Sequence, residues 1–245
     1  MLIHTESFTV RGNETGPDLK LSLPALASYI QEAAWTHSIP LGVSIYDLQK
    51  KEMTWVLSRL SIEMDRRLSH HESLKIVTWP AGVNRHYVFR DYLFEDESGK
   101  RIGKAKTVWA IIDLKSRKPI QPPSFVTEMP IQKEIPLLPV NTEWIPKADH
   151  YPYRKRFTAG WHDIDINRHV NNLSYTRWAI ESTPLEVLKT RDIRGFDIIF
   201  KAESNYGDQI ESLTQNEDGS WGSALHQLKC ENTGKELVLA RSVWR

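Results

Sequence analysis

The chain has little of what marks a specialised protein class. One cysteine, Cys230, stands in 245 residues. No intramolecular disulfide or multi-cysteine metal site can form from it, and a chain of this length without staples fits a reducing compartment. Neither sign of charge is in excess: 32 Lys+Arg face 31 Asp+Glu, a formal net charge of +1. A dedicated nucleic-acid binder would carry a basic surplus. No apolar run approaches the roughly 18 residues of a membrane span, and even Val108–Ile112 is closed by Asp113. The first ten residues, MLIHTESFTV, lack the cationic start and apolar core of a signal peptide. With only 12 Gly and 13 Pro and 40% apolar residues, wholesale disorder is excluded as well. The expectation is a globular cytoplasmic protein with no nucleic-acid or membrane partner.

What is present is internal repetition. Phe8-Thr9 recurs as Phe157-Thr158, and Ala27–Ala33 aligns without gaps on Leu173–Ala179. Gly99–Trp109 matches Gly234–Trp244 with Gly, Lys, Ala, Val and Trp identical. Several matches in the same order indicate a duplicated fold. Each half reads as strand, helix, then a run of strands. Helical spacing of Leu26, Tyr29, Ile30 and Ala33 predicts a helix over 24–35, and a second is expected over 170–181. Strand character follows in 53–64, 74–79, 87–95 and 102–113, then in 196–202, 220–229 and 237–244. The Pro-rich stretch 119–146 cannot be regular sheet or helix throughout and reads as the linker region, which gives an N-terminal domain over 1–130, a linker over 131–148 and a C-terminal domain over 149–245. One helix and a long antiparallel sheet, twice, is an α+β architecture.

The densest polar cluster lies just before the second expected helix, at Trp161–Asn172. Asp165, Asn167 and His169 alternate, so an extended segment would project all three to one side. They would converge beside a helix N-terminus, whose backbone N–H groups suit a developing oxyanion. Carrying the Ala27–Leu173 alignment back places Leu19, Leu21 and Leu23 at the corresponding positions of the first half. Apolar residues in one copy and polar residues in the other favour chemistry over a merely capped, hydrated turn. His70-His71-Glu72 and the group His162, Asp163, Asp165 and His169 have metal-ligand residue types, but read more simply as solvated turns. Basic patches at Arg66-Arg67, 115–118 and Arg154–Arg156 are solvated faces or docking surface.

Residues 165–178 resemble the D-x-N-x-H-V-N-N-x-x-Y-x-x-W signature of acyl-acyl carrier protein thioesterases. Met53–Arg59 is similar to that family's M-T-W-V-L-x-R segment, Gly103–Asp113 resembles its strand ending W-x-x-x-D, and Phe200–Glu203 matches the stretch where it carries a Glu. The resemblance spans nearly the whole chain. It implies two tandem hot-dog domains, each a long helix wrapped by an antiparallel sheet, forming a pseudo-dimer. It places the catalytic network on Asp165, Asn167, His169 and Glu203, with no cofactor and no metal. The implied partner is an acyl carrier protein bearing a phosphopantetheine-linked fatty acyl chain, and a homodimer is compatible. Where the plant enzymes have Cys after that Glu, this chain has Ser204. The attacking group is then activated water or Ser204, with Glu203 or His169 as base and N–H groups near Val170 and Asn171 receiving the oxyanion. An acyl-CoA thioesterase, a hot-dog dehydratase and a non-catalytic carrier-binding module remain the alternatives.

Overall fold

The structure, a computed structural model, describes residues 2–132 and 144–245. It divides into two compact units, residues 1–60 with 65–141, and residues 61–64 with 142–245. Residues 133–143, most of the expected linker, lie outside the described residues.

The first unit holds β1 (His4–Thr9), α1 (Leu23–Ser38), α2 (Ile45–Gln49), β2 (Met53–Met64), β3 (Ser73–Asn84), β4 (Tyr87–Glu95), β5 (Arg101–Asp113), β6 (Pro119–Ile120) and α3 (Ser124–Thr127). Its strands run in the order β1-β3-β4-β5-β2, with β6 on β5; the last four residues of β2 group with the second unit. The Ser22 side chain caps α1 by accepting the Ala25 N–H, and Pro24 stands in the first turn, where its missing N–H costs nothing. Leu26, Ala27, Tyr29, Ile30 and Ala33 are buried at helical spacing, and α1 packs on β1 and β3. Burying each large side chain is worth roughly 1.5–3 kcal/mol. A second cluster, including Val43, Leu48, Val88, Ile111 and Val126, anchors α2 and α3. The described part of the Pro-rich stretch 119–146 thus holds two short regular elements, β6 and α3.

The second unit holds β7 (Tyr153–Thr158), α4 (Asn172–Glu181), α5 (Leu185–Thr190), β8 (Ile193–Phe200), β9 (Gln209–Asn216), β10 (Ser223–Cys230) and β11 (Glu236–Trp244). Its order is β8-β11-β10-β9-β7. Period-2 alternation gives this sheet two faces. Ile199, Leu213, Leu225 and Leu239 pack with Ile145 and Tyr151, while the residues between them meet α4, which packs on β9, β10 and β11. Pro184 follows α4 closely and starts α5, keeping α4 to ten residues. In both units the hairpin before the last long strand turns at a glycine with positive φ, Gly99 at 79° and Gly234 at 69°.

Each unit is thus a hot-dog domain, a helix laid against a curved antiparallel sheet. Strand β9 escaped the sequence reading because its helix-facing positions are polar. Ser212 Oγ donates to the Trp178 carbonyl at 2.6 Å, and Ser182 Oγ sits 2.8 Å from Ser212 Oγ and 2.7 Å from Thr214 Oγ1. Hydroxyls satisfied this way are buried without the usual penalty.

Candidate active site

The segment leading into α4 is a closed turn. A 3-10 turn at Trp161–Asp163 is followed by an isolated bridge between Ile164 and Val170. Between these two, the Asp165 N–H donates to the His169 carbonyl and the Arg168 N–H to the Asp165 carbonyl, both at 2.9 Å. Arg168 supplies the left-handed corner at φ 65°. The Asp165 carboxylate accepts the Asn167 N–H at 2.8 Å, the Asx-turn geometry that favours Asp at such a place. The expectation of an extended segment with Asp165, Asn167 and His169 on one side is corrected: alternating polar residues here mark a turn.

Glu203 arrives from 34 positions downstream. Strand β8 ends at Phe200, and the Val170 N–H donates to the Ser204 carbonyl at 2.9 Å, which carries the coil after β8 against the turn. His169 Nε2 and Glu203 Oε2 are then 3.3 Å apart. His169 and Glu203 are brought together; Asp165 holds the turn and Asn167 is exposed on it.

Ser204 and Glu203 point opposite ways, as adjacent residues in extended backbone do. Ser204 is buried, its Oγ 2.7 Å from the Tyr175 hydroxyl, which also accepts the Ser204 N–H at 2.8 Å. Burial pushes the Tyr175 phenol up to about 12, so it serves as a fixed hydrogen-bonding group and cannot act as a base. Tyr175 was legible as a motif position but not in this role, because its partner Ser204 lies 29 residues away. Asp163 is likewise structural: it accepts from Ser174 Oγ and Arg177 Nη2 at 2.8 Å each and from the Gly160 N–H at 2.9 Å. Cys230 is buried at the end of β10. Among the described residues no group of three His, Cys, Asp or Glu could hold a metal ion.

The oxyanion donors need a second correction. The Val170 N–H is taken by Ser204, and the Asn171 N–H donates to the Asp163 carbonyl at 2.7 Å. The Asn171 side chain caps α4 by accepting the Leu173 N–H. The next N–H, that of Asn172 at the first position of α4, has no acceptor among the described residues.

The internal alignment also shifts. Phe157 stacks on Trp178 (5.6 Å) as Phe8 stacks on Tyr29 (4.3 Å), and the bridge Thr15–Leu21 repeats Ile164–Val170. The counterparts of Asp165, Asn167 and His169 are therefore Gly16, Asp18 and Lys20, not Leu19, Leu21 and Leu23. The Leu21 N–H donates to the Leu68 carbonyl at 2.7 Å, making Arg67 and Leu68 the counterparts of Glu203 and Ser204.

Residues 1–128 match the family described as the acyl-ACP thioesterase N-terminal domain, and residues 147–245 match the acyl-ACP thioesterase C-terminal domain. A chloroplastic palmitoyl-acyl carrier protein thioesterase from Cuphea hookeriana is 28% identical over 259 residues, covering 100% of this chain and 62% of the relative. The chain thus spans less than two thirds of that relative's length. An acyl-ACP thioesterase from Bacteroides thetaiotaomicron has a similar structure, with TM-score 0.88, 28% identity and coverage of 99% of this chain and 98% of that one. The 12:0-ACP thioesterase from Umbellularia californica gives TM-score 0.90 over 100% and 98% of the two chains, at 23% identity, a likeness of fold alone. No described helix is long and apolar enough to cross a membrane.

Proposed function

We propose, because the chain belongs to the acyl-ACP thioesterase family, that it hydrolyses fatty acyl thioesters on the phosphopantetheine arm of acyl carrier protein, releasing free acid and ending chain elongation. The C-terminal domain, 149–245, would carry the chemistry, and the N-terminal domain, 1–130, the duplicated partner fold. The observation that carries this reading is the 3.3 Å contact between His169 and Glu203 beside the start of α4.

Water is the attacking group in this reading. Glu203 is the base, because its side chain is 47% exposed against 19% for His169, so its carboxylate meets solvent. His169 holds that carboxylate in place, Asn167 faces the substrate from the turn, and Asp165 keeps the turn closed. Glu203 takes a proton as the water oxygen bonds to the thioester carbonyl carbon. The resulting oxyanion lies toward the Asn172 N–H; collapse breaks the C–S bond, and the thiolate leaves with the proton from Glu203. General-base assistance is worth roughly 10²- to 10⁴-fold, and one oxyanion donor about 3–4 kcal/mol. Ser204 is a poor nucleophile here, since its hydroxyl is committed to Tyr175. A cytoplasmic location belongs to the same reading and rests on the single buried thiol.

The test is hydrolysis of acyl-carrier substrates from about eight to eighteen carbons, with acyl-CoA beside them, read as free thiol. Carrier substrates should be turned over with the higher kcat/KM. Preference for CoA would make the chain an acyl-CoA thioesterase, and release of no thiol from any substrate would make it a binding module.

A further inference from the structure

The second unit exposes an aromatic pair at the edge of its polar turn. Trp161 is 75% exposed and Tyr206 66%, and their rings meet edge to face with centroids 6.5 Å apart. Trp161 opens the 3-10 turn, and Tyr206 follows Glu203 by three residues. Ile166, 66% exposed, stands at the tip of the same turn, and Arg168 is exposed beside His169. Single exposed apolar residues are unremarkable, but several at one edge mark an interaction site. Trp, Tyr and Arg are also the residues enriched at binding hot spots.

The fold does not require these side chains. Trp161 corresponds to Gly12 and Tyr206 to His70 in the first unit, where a Cβ built on Gly12 would lie 3.7 Å from His70 Nε2. The same backbone is thus closed there without exposed aromatics.

Charge identifies the occupant. Each acid of this loop is engaged within the unit: Asp163 with Arg177, Asp165 with the Asn167 N–H, Glu203 with His169, and Asp208 with the Asn205 N–H. Arg168 has no ion-pair partner among the described residues. The basic patches that stand out in the sequence are the reverse case, since Arg66, Arg67, Lys115, Arg154, Lys155 and Arg156 all face acidic partners. A cation with an acid beside it projects little field; Arg168, exposed on the turn, projects its whole charge into solvent.

We propose that Trp161, Tyr206, Ile166 and Arg168 form the surface on which an acidic carrier protein docks to deliver its acyl arm, an inference that rests on the carrier-bound substrate proposed above. The aromatic pair supplies apolar contact area, and Arg168 pairs with a carrier carboxylate and fixes the register.

The experiment compares an acyl-carrier substrate with the N-acetylcysteamine thioester of the same acyl group, which has no protein to dock. Trp161→Ala, Tyr206→Ala and Arg168→Glu should each raise KM for the acyl-carrier about tenfold. The Arg168→Glu effect should shrink as salt is added, and turnover of the small thioester should stay within about twofold. Unchanged KM for the carrier substrate overturns the proposal, as does equal loss on both substrates, which would make the rim part of the reacting site or the fold. Concentration-dependent association of the wild-type chain, abolished by Trp161→Ala in sedimentation, would assign the rim to a second copy and overturn it too. Failure of the underlying reading looks different: the wild-type chain would then hydrolyse the small thioester and gain nothing when the same acyl group is carried on protein.

Discussion

The turns that precede α1 and α4 follow one hydrogen-bonding plan with different side chains. The Gly16 N–H donates to the Lys20 carbonyl as that of Asp165 does to His169, both at 2.9 Å. Leu19 turns the corner at φ 57° where Arg168 does so at 65°. The Val10 N–H reaches the Glu72 carbonyl at 3.0 Å, and that of Ala159 reaches Asp208 at 2.9 Å. Glu14 and Asp163 each accept an N–H three residues back, from Arg11 at 2.8 Å and Gly160 at 2.9 Å. On this shared backbone the first unit places Asp18 in an ion pair with Arg67, and the second sets His169 against Glu203. A polar turn before the helix is therefore a structural property of both copies. What distinguishes the second is a histidine set against a carboxylate, the residue types of general acid–base catalysis, where the first has a carboxylate against an arginine.

The largest effect that sharpens this contrast is on turnover. Glu203→Gln and His169→Ala should each lower kcat by about 10²-fold or more with the fold retained. The corresponding first-unit variants, Arg67→Ala and Lys20→Ala, should leave kcat within about threefold. Steady-state rates with circular dichroism on all four variants decide it; comparable losses in both units would erase the distinction.

A second contrast lies beneath the helices. Tyr92 and His226 occupy corresponding places. The Tyr92 hydroxyl is 3.1 Å from Thr107 Oγ1, and His226 Nε2 is 2.7 Å from Ser242 Oγ. Each of those hydroxyls also accepts a tryptophan N–H, from Trp109 at 2.8 Å and Trp244 at 2.7 Å. Burial pushes Tyr92 up to about 12 and His226 down to about 3, so both are neutral at pH 7. Only His226 then couples stability to pH in the acid range. Its folded value is depressed below the unfolded one, so its contribution is complete above about pH 6.5 and declines as pH falls toward 3. The loss approaches roughly 1.4 kcal/mol per pH unit. Melting temperature measured from pH 7.5 to 4.5 should fall more steeply for the wild type than for His226→Gln. Parallel profiles would remove His226 as the acid-sensitive group.

Much of this was legible in the sequence where apolar alternation is strong: β2 and β4 begin and end where the pattern does. Strand β9 was hidden because Ser212 and Thr214 face the helix with hydroxyls that only a folded neighbour satisfies. The repeat itself was legible, but the shared Ser-Tyr of Ala27–Ala33 and Leu173–Ala179 set it three positions out of register; the aromatic stacking of Phe8 and Phe157 corrects it. Asp165, Asn167 and His169 were found as a cluster, though their alternation suggested a strand and a non-glycine left-handed residue makes a turn. Glu203 could be reached only through family resemblance. Its nearness to His169 depends on a backbone bond between Val170 and Ser204, which no local pattern encodes.

A smaller effect separates water from serine as the attacking group. Ser204→Ala should cost less than about tenfold in turnover, against 10²-fold or more for Glu203→Gln. The change removes a hydrogen-bonding partner from the buried Tyr175 hydroxyl, so it should also destabilise the fold by about 1–2 kcal/mol. Rapid-quench mass analysis supplies the opposing result: an acyl ester accumulating on Ser204 would make serine the nucleophile.

The smallest effect is expected where the first unit replaces chemistry with charge. Asp18 and Arg67 form an ion pair with side-chain exposures of 44% and 15%, at the place where the second unit has Asn167 and Glu203. A pair with one partner this exposed is screened by solvent and contributes about 0–1 kcal/mol. Asp18→Asn should therefore shift denaturant stability by less than about 1 kcal/mol, with kcat and KM unchanged. The double variant Asp18→Asn with Arg67→Glu copies two second-unit side chains onto the first-unit turn. It should still leave kcat unchanged, because Lys20 remains where the second unit has a histidine. Adding Lys20→His completes the copy. If that triple variant restores measurable thiol release to a chain already inactivated by Glu203→Gln, the shared backbone plan is sufficient for catalysis. If it does not, the second unit supplies something beyond the His–Glu pair, and the Asn172 side chain at the start of α4 is the first place to look, because its counterpart is Leu23 at the start of α1.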